Sequence, residues 1–241
     1  MQMWSEHEYR LRWMDFDRYG RMQPAAVLDL FQDMATIQAN DMGIGRDDMM
    51  EEGVFWAVIR QKFEVVKDPE WNSVVTVRSW PHTPTRFSFL RDYSMRDDQG
   101  ELLVKATSEW VLMNFETRKF ESVKDHYHGP TDFYEERMFE RKCRKIADFE
   151  ADEADAYTVV PTYSDIDING HVNNAMYTNY VVNALDPGEE GRIKSLQIDY
   201  RYEVLPGVPL KIYSTSEDDQ ILFKAVNPEG DIAFAAALET Q

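Results

Sequence analysis

The stretch Ser164-Asp165-Ile166-Asp167-Ile168-Asn169-Gly170-His171-Val172 repeats, 150 residues further along the chain, the pattern of Met14-Asp15-Phe16-Asp17-Arg18-Tyr19-Gly20-Arg21-Met22. Both copies contain Asp-x-Asp-x-x-Gly, and the alignment needs no gap. A repeat inside one chain points to a duplicated unit of structure. If this duplication is real, similar helices and strands should follow each copy.

Similar elements do follow the two copies. Pro24 suits a helix N1 position, and apolar residues at helical spacing predict a long helix that ends before Gly43. A second helix is predicted at residues 172–185, ended by Asp186-Pro187-Gly188. Runs rich in β-branched and aromatic residues predict antiparallel strands. These runs are residues 55–66, 73–80, 86–96 and 102–115 in the first half, and 193–202, 208–214, 220–226 and 232–238 in the second.

This order predicts an α+β fold, in which a curved antiparallel sheet covers the apolar face of each helix. We expect an N-terminal domain at residues 1–125, a linker at 126–155 and a C-terminal domain at 156–241. The linker region is charged and lacks strand periodicity, and it is interpreted as a partly helical strap. One long helix wrapped by a sheet, present twice, resembles two tandem hot dog domains, the double hot dog fold.

The composition limits the classes of function. A net charge of −18 argues against nonspecific nucleic-acid binding, because the chain would repel phosphates. The purest apolar run, residues 232–238, is far shorter than the roughly 20 residues that span a bilayer, and the first residues lack a signal-peptide core. The single cysteine, Cys143, excludes an internal disulfide and a multi-cysteine metal site. We therefore expect a cytoplasmic protein without nucleic-acid partner, membrane insertion, metal or other cofactor.

The two copies differ in their chemistry. Asn169 and His171 stand where the first copy has Tyr19 and Arg21, so only the second copy carries a proton-transfer group. Together with Asp167, these residues precede a predicted helix, whose free backbone N–H groups would stabilise a developing oxyanion.

A structural alternative stays open at this point. Asp167 and Asn169 could simply form an Asx turn and cap the helix, with His171 at the surface. Glu203 favours the catalytic interpretation, because it ends a predicted strand that could cross the helix start. The sequence has no Gly-x-Ser-x-Gly motif, and Cys143 is distant from His171 in sequence. Carboxylate-assisted hydrolysis is the reaction that remains.

The run Tyr163-Ser-Asp-Ile-Asp-Ile-Asn-Gly-His-Val-Asn-Asn-Ala-Met-Tyr177 resembles the signature of plant plastid and bacterial acyl-ACP (acyl carrier protein) thioesterases. The resemblance extends over nearly the whole chain and implies release of fatty acids from acyl carrier protein in fatty acid biosynthesis. The first half agrees with the family through Arg91-Asp-Tyr93, Gly100-Glu-Leu102, Ala106-Thr-Ser-Glu-Trp-Val111 and Met113-Asn-Phe-Glu-Thr-Arg-Lys119.

By position, the family's catalytic Asp, Asn and His fall on Asp167, Asn169 and His171, and its acidic partner falls on Glu203. The family often has a cysteine directly after this glutamate, where the present chain has Val204. Water or a carboxylate must then attack the thioester. Two mechanisms stay open, namely attack by Asp167 to form an acyl anhydride and direct attack by water with a carboxylate as general base. The first half, which lacks these groups, is expected to bury the acyl chain.

The resemblance implies acyl carrier protein as the partner, and this acidic protein would need a basic patch on a chain of charge −18. Helical spacing predicts that several linker cations share one face, and a solvated linker is the alternative. The candidate residues are Arg118, Lys119, Arg137, Arg141, Lys142, Arg144 and Lys145.

Two other functions remain as alternatives. Coenzyme A is also anionic, so an acyl-CoA thioesterase is the closest one. A non-catalytic regulator that binds acyl ligands is less favoured, because the sequence has no evident basic helix-turn-helix region. A homodimer is left open.

Overall fold

A computed structural model describes residues 3–151 and 156–241. None of the helices in these two ranges is long and apolar enough to cross a membrane. The helices are α1 (Pro24–Asp41), α2 (Arg46–Glu51), α3 (Val123–His126) and α4 (Met176–Leu185). The strands are β1 (Ser5–Arg10), β2 (Val54–Val65), β3 (Val74–Pro81), β4 (Phe89–Arg96), β5 (Leu102–Asn114), β6 (Phe120–Glu121), β7 (Tyr157–Val159), β8 (Ile193–Tyr200), β9 (Leu210–Glu217), β10 (Gln220–Val226) and β11 (Ile232–Thr240).

All strands join one antiparallel sheet in the order β1-β3-β4-β5-β2-β8-β11-β10-β9-β7, and β6 pairs with β5 at the side. The second half of this order mirrors the first, as a duplicated unit requires. The halves meet where β2 pairs with β8, from Arg60 opposite Asp199 to Glu64 opposite Ser195. The predicted α+β architecture, with tandem hot dog units whose strands pair across the halves, is confirmed.

The main apolar core lies between the helices and the sheet, and it runs through both halves. Phe31 and Met34 of α1 are buried in the same cluster as Val181 of α4, together with Phe63 of β2 and Ile198 of β8. Each such side chain contributes about 1.5–3 kcal/mol when it is fully buried. Because side chains alternate along a strand, the neighbours of Phe63 and Ile198 point to the opposite face of the sheet, called the outer face below.

The second copy of the repeat folds as a capped turn. Asp165 ends a 3-10 turn and accepts the N–H of Thr162 at Oδ2, at 2.6 Å. The N–H of Gly170 then donates to the carbonyl of Asp167 at 3.0 Å, and Gly170 has a φ of 80°. Glycine adopts this left-handed conformation with the least strain, which explains the glycine at this place in both copies.

The first copy makes the same bonds. Asp15 accepts the N–H of Arg12 at 2.6 Å, and Gly20, with a φ of 76°, donates to Asp17 at 3.0 Å. The repeat found in the sequence is therefore a repeat of backbone structure.

The second helix is shorter than the sequence predicts. It begins at Met176 rather than at Val172 and has 10 residues, against 18 in α1. Val172 is extended instead, because it forms a bridge with Ile166 and its N–H donates to the carbonyl of Val204 at 2.9 Å. The helical periodicity at Val172 was misleading, because an apolar residue that bridges two chain segments also faces the core.

The linker forms a strap across the outer face of the sheet, but the prediction that the strap is partly helical is wrong beyond α3. Residues 127–151 contain no helix, and side chains of the sheet bind the strap's backbone. Trp80 donates to the carbonyl of Glu136 at 2.8 Å, and Arg201 donates to that of Ile146 at 2.8 Å. Asp199 also accepts the N–H of Ile146 at 2.7 Å. Residues 152–155 of the predicted linker lie outside the described residues.

Candidate active site

His171 and Glu203 are brought together by one backbone contact. The bond from the N–H of Val172 to the carbonyl of Val204 joins the turn of the second copy to the chain that follows β8. His171 Nε2 then lies 3.3 Å from Glu203 Oε2, and the two side chains are 23% and 45% exposed. The structure thus places an imidazole and a carboxylate side by side at a site that solvent reaches.

Asn169 holds the carboxylate of Asp167 from two directions. Its backbone N–H donates to Asp167 Oδ1 at 2.8 Å, and its side-chain Nδ2 donates to Oδ2 at 3.3 Å. Asp167 is half-buried and Asn169 is exposed. The Asx turn of the structural alternative is therefore present. The same turn fixes the direction of the Asp167 carboxylate on the loop that carries His171.

The N–H groups of the N-cap residue Ala175 and of Met176, the first residue of α4, are used locally. The N–H of Ala175 donates to Asn173 Oδ1 at 2.8 Å, and the N–H of Met176 donates to the carbonyl of Asn173 at 2.9 Å. The expectation that the helix start offers free N–H groups to an oxyanion is wrong for these two groups. Asn173 forms the turn that precedes the helix, whose N-cap residue is Ala175, so neither Asp167 nor Asn169 caps α4.

Tyr177 is a further member of the candidate site, and the sequence pattern does not mark it as one. It is 3% exposed, and its ring contacts Tyr200 and Phe234. Burial raises the pKa of Tyr177 strongly, a hydrogen bond from the Val204 backbone opposes this rise, and the carboxylates of Glu203 and Asp167 add to it. The hydroxyl therefore stays protonated near both carboxylates. Its position at the end of the signature run was the available signal.

Glu203 has a second partner, which comes from the N-terminal half. Arg118, in the turn between β5 and β6, donates from Nη1 to Glu203 Oε1 at 2.9 Å. The sequence pattern predicts Arg118 as part of the basic docking patch. The structure places it against a candidate catalytic residue, within the Met113–Lys119 run that already resembled the family.

In the first copy, the residue equivalent to His171 has a different environment. Arg21 donates from Nε to Asp17 Oδ2 at 2.9 Å, and from Nη2 and Nη1 to the carbonyls of Gly188 and Gly191 at 2.9 and 3.1 Å. Arg21 thereby ties the first copy to the loop that follows α4. The first copy is a structural contact between the halves.

Comparison with known sequences decides the family. Residues 3–130 match the acyl-ACP thioesterase N-terminal domain, and residues 147–238 match the acyl-ACP thioesterase C-terminal domain. The chain belongs to the acyl-ACP thioesterase family. It is 30% identical to the chloroplastic palmitoyl-acyl carrier protein thioesterase of Arabidopsis thaliana over 164 residues, 65% of this chain and 40% of that protein. It is also 30% identical to oleoyl-acyl carrier protein thioesterase 1 of the same plant over 200 residues, 73% of this chain and 54% of the relative. The chain thus spans about half the length of these relatives.

Solved structures agree with the family in fold. An acyl-ACP thioesterase from Bacteroides thetaiotaomicron superposes with a TM-score of 0.88 at 20% identity, over 99% of this chain and 98% of the other. The 12:0-ACP thioesterase from Umbellularia californica superposes with a TM-score of 0.83 at 23% identity, over 100% and 98% of the two chains. The tandem hot dog architecture of the acyl-ACP thioesterase family is therefore the fold of this chain.

The structure of this thioesterase family member differs from the expected docking patch in two respects. Residues 137–145 are not helical, so the prediction of a shared helical face is wrong. Lys142 is bound to Glu109 of β5, with Nζ 2.6 Å from Oε1. Arg141, Arg144 and Lys145 are exposed on the strap.

Cys143 lies on the strap rather than at the site. It is half-buried, burial raises the pKa of its thiol, and its carbonyl accepts a hydrogen bond from Arg60 at 3.3 Å. A cavity of about 290 Å³ lies beside it, and none of the four candidate residues lines this cavity. Within residues 3–151 and 156–241, no group of three or more His, Cys, Asp and Glu side chains could hold a metal ion.

Proposed function

We propose that this protein hydrolyses the thioester bond between a fatty acyl group and acyl carrier protein and releases the free fatty acid. Membership of the acyl-ACP thioesterase family supports the substrate class. The observation that carries the chemistry is the 3.3 Å contact between His171 Nε2 and Glu203 Oε2, next to the loop of Asp167 and Asn169. Hydrolysis needs a group that accepts a proton from water and one that protonates the leaving sulfur.

Asp167 is the general base in this proposal. Its carboxylate is half-buried and oriented by Asn169, so it can accept a proton from a water molecule that attacks the thioester carbonyl carbon. A bond forms between the water oxygen and that carbon, and charge develops on the carbonyl oxygen. Asn169 keeps the base in place during this step, since its amide and backbone N–H both bind the carboxylate.

His171 is the general acid. Glu203 faces Nε2, so it holds the proton on that nitrogen and stabilises the imidazolium, while Nδ1 exchanges the other proton. When the carbon–sulfur bond breaks, Nδ1 protonates the departing thiolate, and the proton on Asp167 then returns to His171. The products are a carboxylic acid and the thiol of the carrier.

Attack by Asp167 itself is the alternative mechanism. Two hydrogen bonds from Asn169 lower the nucleophilicity and the basicity of the Asp167 carboxylate alike, so they favour neither route over the other. The routes differ in whether acyl-enzyme forms. The acyl-enzyme can be trapped with hydroxylamine and located by mass spectrometry of the Asp167 peptide. Its detection on Asp167 would refute the general-base route and support the anhydride route.

The other roles in this proposal follow from the two halves. The N-terminal half holds the acyl chain and the C-terminal half supplies the four catalytic residues, with the domain boundaries 1–125, 126–155 and 156–241. Acyl carrier protein is the partner, and its acidic surface meets exposed cations of the strap. The homodimer and the cytoplasmic location stay predictions.

The test is thiol release by purified protein from acyl-ACP and acyl-CoA that carry the same acyl chain. We expect a higher kcat/KM with acyl-ACP. A preference for acyl-CoA would favour the alternative function, an acyl-CoA thioesterase. An active wild type and a folded but inactive Asp167→Asn variant would support the assignment of the site. No release from either thioester over a range of acyl chains would refute the enzymatic function.

A further inference from the structure

We propose that Arg118 of the N-terminal half is a positioning residue of the active site and acts through Glu203. This inference rests on the proposed function. Arg118 Nη1 binds Glu203 Oε1 at 2.9 Å, while the other oxygen, Oε2, faces His171. The guanidinium and the imidazole thus take one carboxylate oxygen each, in the chain Arg118–Glu203–His171.

The ion pair matters for geometry rather than for stability. Arg118 and Glu203 are 46% and 45% exposed, and solvent-exposed ion pairs add little to the free energy of folding. A half-exposed glutamate samples several rotamers, however, and only some of them reach His171. By holding Oε1, Arg118 selects the rotamers that keep Oε2 at the imidazole.

The backbone of Arg118 supports a role that needs this residue. Arg118 has a φ of 55°, in the left-handed region that residues other than glycine and asparagine rarely adopt. Its turn is fixed by Asn114, whose Oδ1 accepts the N–H groups of Glu116 and Thr117 at 3.1 and 2.9 Å. Strained residues that are held in place by the surrounding hydrogen bonds are a recurrent feature of functional sites.

Two aromatic rings hold the guanidinium in place. Its carbon lies 5.2 Å from the ring centre of Phe55 and 5.9 Å from that of Phe115, and the two rings are themselves edge to face. A guanidinium near aromatic faces is restricted in direction without losing its hydrogen-bond donors. The N-terminal half therefore presents a rigid cation to the catalytic carboxylate of the C-terminal half.

The test compares three variants. Arg118→Asn keeps the left-handed turn and removes the guanidinium, Arg118→Lys keeps the charge, and Arg86→Asn is the matched control. Arg86 is also an exposed arginine of the N-terminal half, and its guanidinium lies 4.9 Å from the ring centre of Phe87. For Arg118→Asn we expect kcat with acyl-ACP to fall about tenfold or more, with KM changed less than about twofold and Tm equal or higher. Arg118→Lys should recover part of the loss, and Arg86→Asn should match wild type.

A double substitution tests whether Arg118 acts through Glu203. In the Glu203→Gln background, Arg118→Asn should lower kcat by less than about twofold further, because residues of one network are not additive. Independent losses that multiply would overturn the inference. If Arg118→Asn raised KM for acyl-ACP and left kcat unchanged, the inference would also be overturned. That result would indicate that Arg118 binds the carrier protein, as the basic docking patch predicts.

A measurement without substrate separates this inference from the proposed function. The ring signals of His171 in NMR spectra should move in Arg118→Asn and Glu203→Gln and stay in place in Arg86→Asn. Unmoved His171 signals in Arg118→Asn would contradict the positioning role even in an active enzyme. Moved signals in a protein that hydrolyses no thioester would support the geometry and refute the proposed function.

Discussion

Arg21 and His171 occupy equivalent positions in two copies of one turn, but their side chains bind different groups. Arg21 donates to Asp17 and to the carbonyls of Gly188 and Gly191, whereas His171 faces the carboxylate of Glu203. The duplicated backbone therefore supports a contact between the halves in one copy and a candidate proton-transfer site in the other.

Replacing Arg21 by Ala should destabilise the protein without affecting the chemistry directly. The Arg21 side chain is 13% exposed, and its loss leaves the carboxylate of Asp17 and three backbone carbonyls without this donor. We expect a loss of about 1–3 kcal/mol in the free energy of unfolding, measured by urea denaturation, with kcat unchanged in the folded variant. A drop in kcat larger than that of His171→Ala would show that the catalytic residues lie in the N-terminal half, against the proposed site.

Isosteric changes at the site should remove turnover and preserve the fold. Asp167→Asn removes charge but little volume, so we expect almost no kcat, with Tm and binding of acyl-ACP nearly unchanged. The measurement is thiol release under saturating acyl-ACP, alongside circular dichroism and a binding titration. Near-normal turnover in a folded Asp167→Asn variant would refute the assignment of Asp167.

Substitutions of His171 and Glu203 should lower kcat less than Asp167→Asn does. His171→Ala and Glu203→Gln should each lower kcat by about 10²-fold to 10⁴-fold, the range typical of lost acid–base catalysis. If the two act as one unit, the double variant should lose little more than the worse single variant. A Tyr19→Phe variant is the control, since Tyr19 lies in the first copy at the place that Asn169 has in the second, and it should keep wild-type kcat.

Charge reversal on the strap should affect carrier docking. Arg141→Glu, Arg144→Glu and Lys145→Glu change exposed cations, so together they should raise KM for acyl-ACP more than for a short neutral acyl thioester, and added salt should weaken docking of the wild type. Lys142→Glu should instead lower stability, because Lys142 is bound to the buried Glu109. Equal effects on both substrates would assign the three exposed cations to solubility or folding.

Cys143 should react slowly with thiol reagents, and its modification should leave activity intact. Burial raises the pKa of the thiol, so less of the reactive thiolate is present at neutral pH than in an exposed cysteine. The labelling rate should therefore rise at higher pH than that of free cysteine, as followed by mass spectrometry. Cys143→Ser should keep wild-type kcat. A folded but inactive Cys143→Ser variant would overturn the carboxylate mechanism.

Much of the fold could be predicted from local pattern. The strand at 220–226 was predicted with its bounds, and the one at 102–115 to within a residue, because their periodicity reflects a buried and an open face. The short edge strands β1 and β7 were missed, since they are short and most of their residues are exposed, which gives no clear alternation. The start of α4 was misplaced, because the contact between Val172 and Val204 joins segments that are far apart in sequence.

The sequence by itself determined the turn that carries Asp167, Asn169 and His171, because this turn depends on local bonds within a few residues. The duplication and the tandem architecture followed from the repeated order of helix and strands along the chain. Glu203 was a candidate from the sequence, but only the tertiary structure decided that it contacts both His171 and Arg118. Arg118 and Glu203 come from opposite halves and meet because β2 pairs with β8 and the two halves share one core. Such contacts are fixed by the packing of whole elements, and no local pattern of residues encodes them.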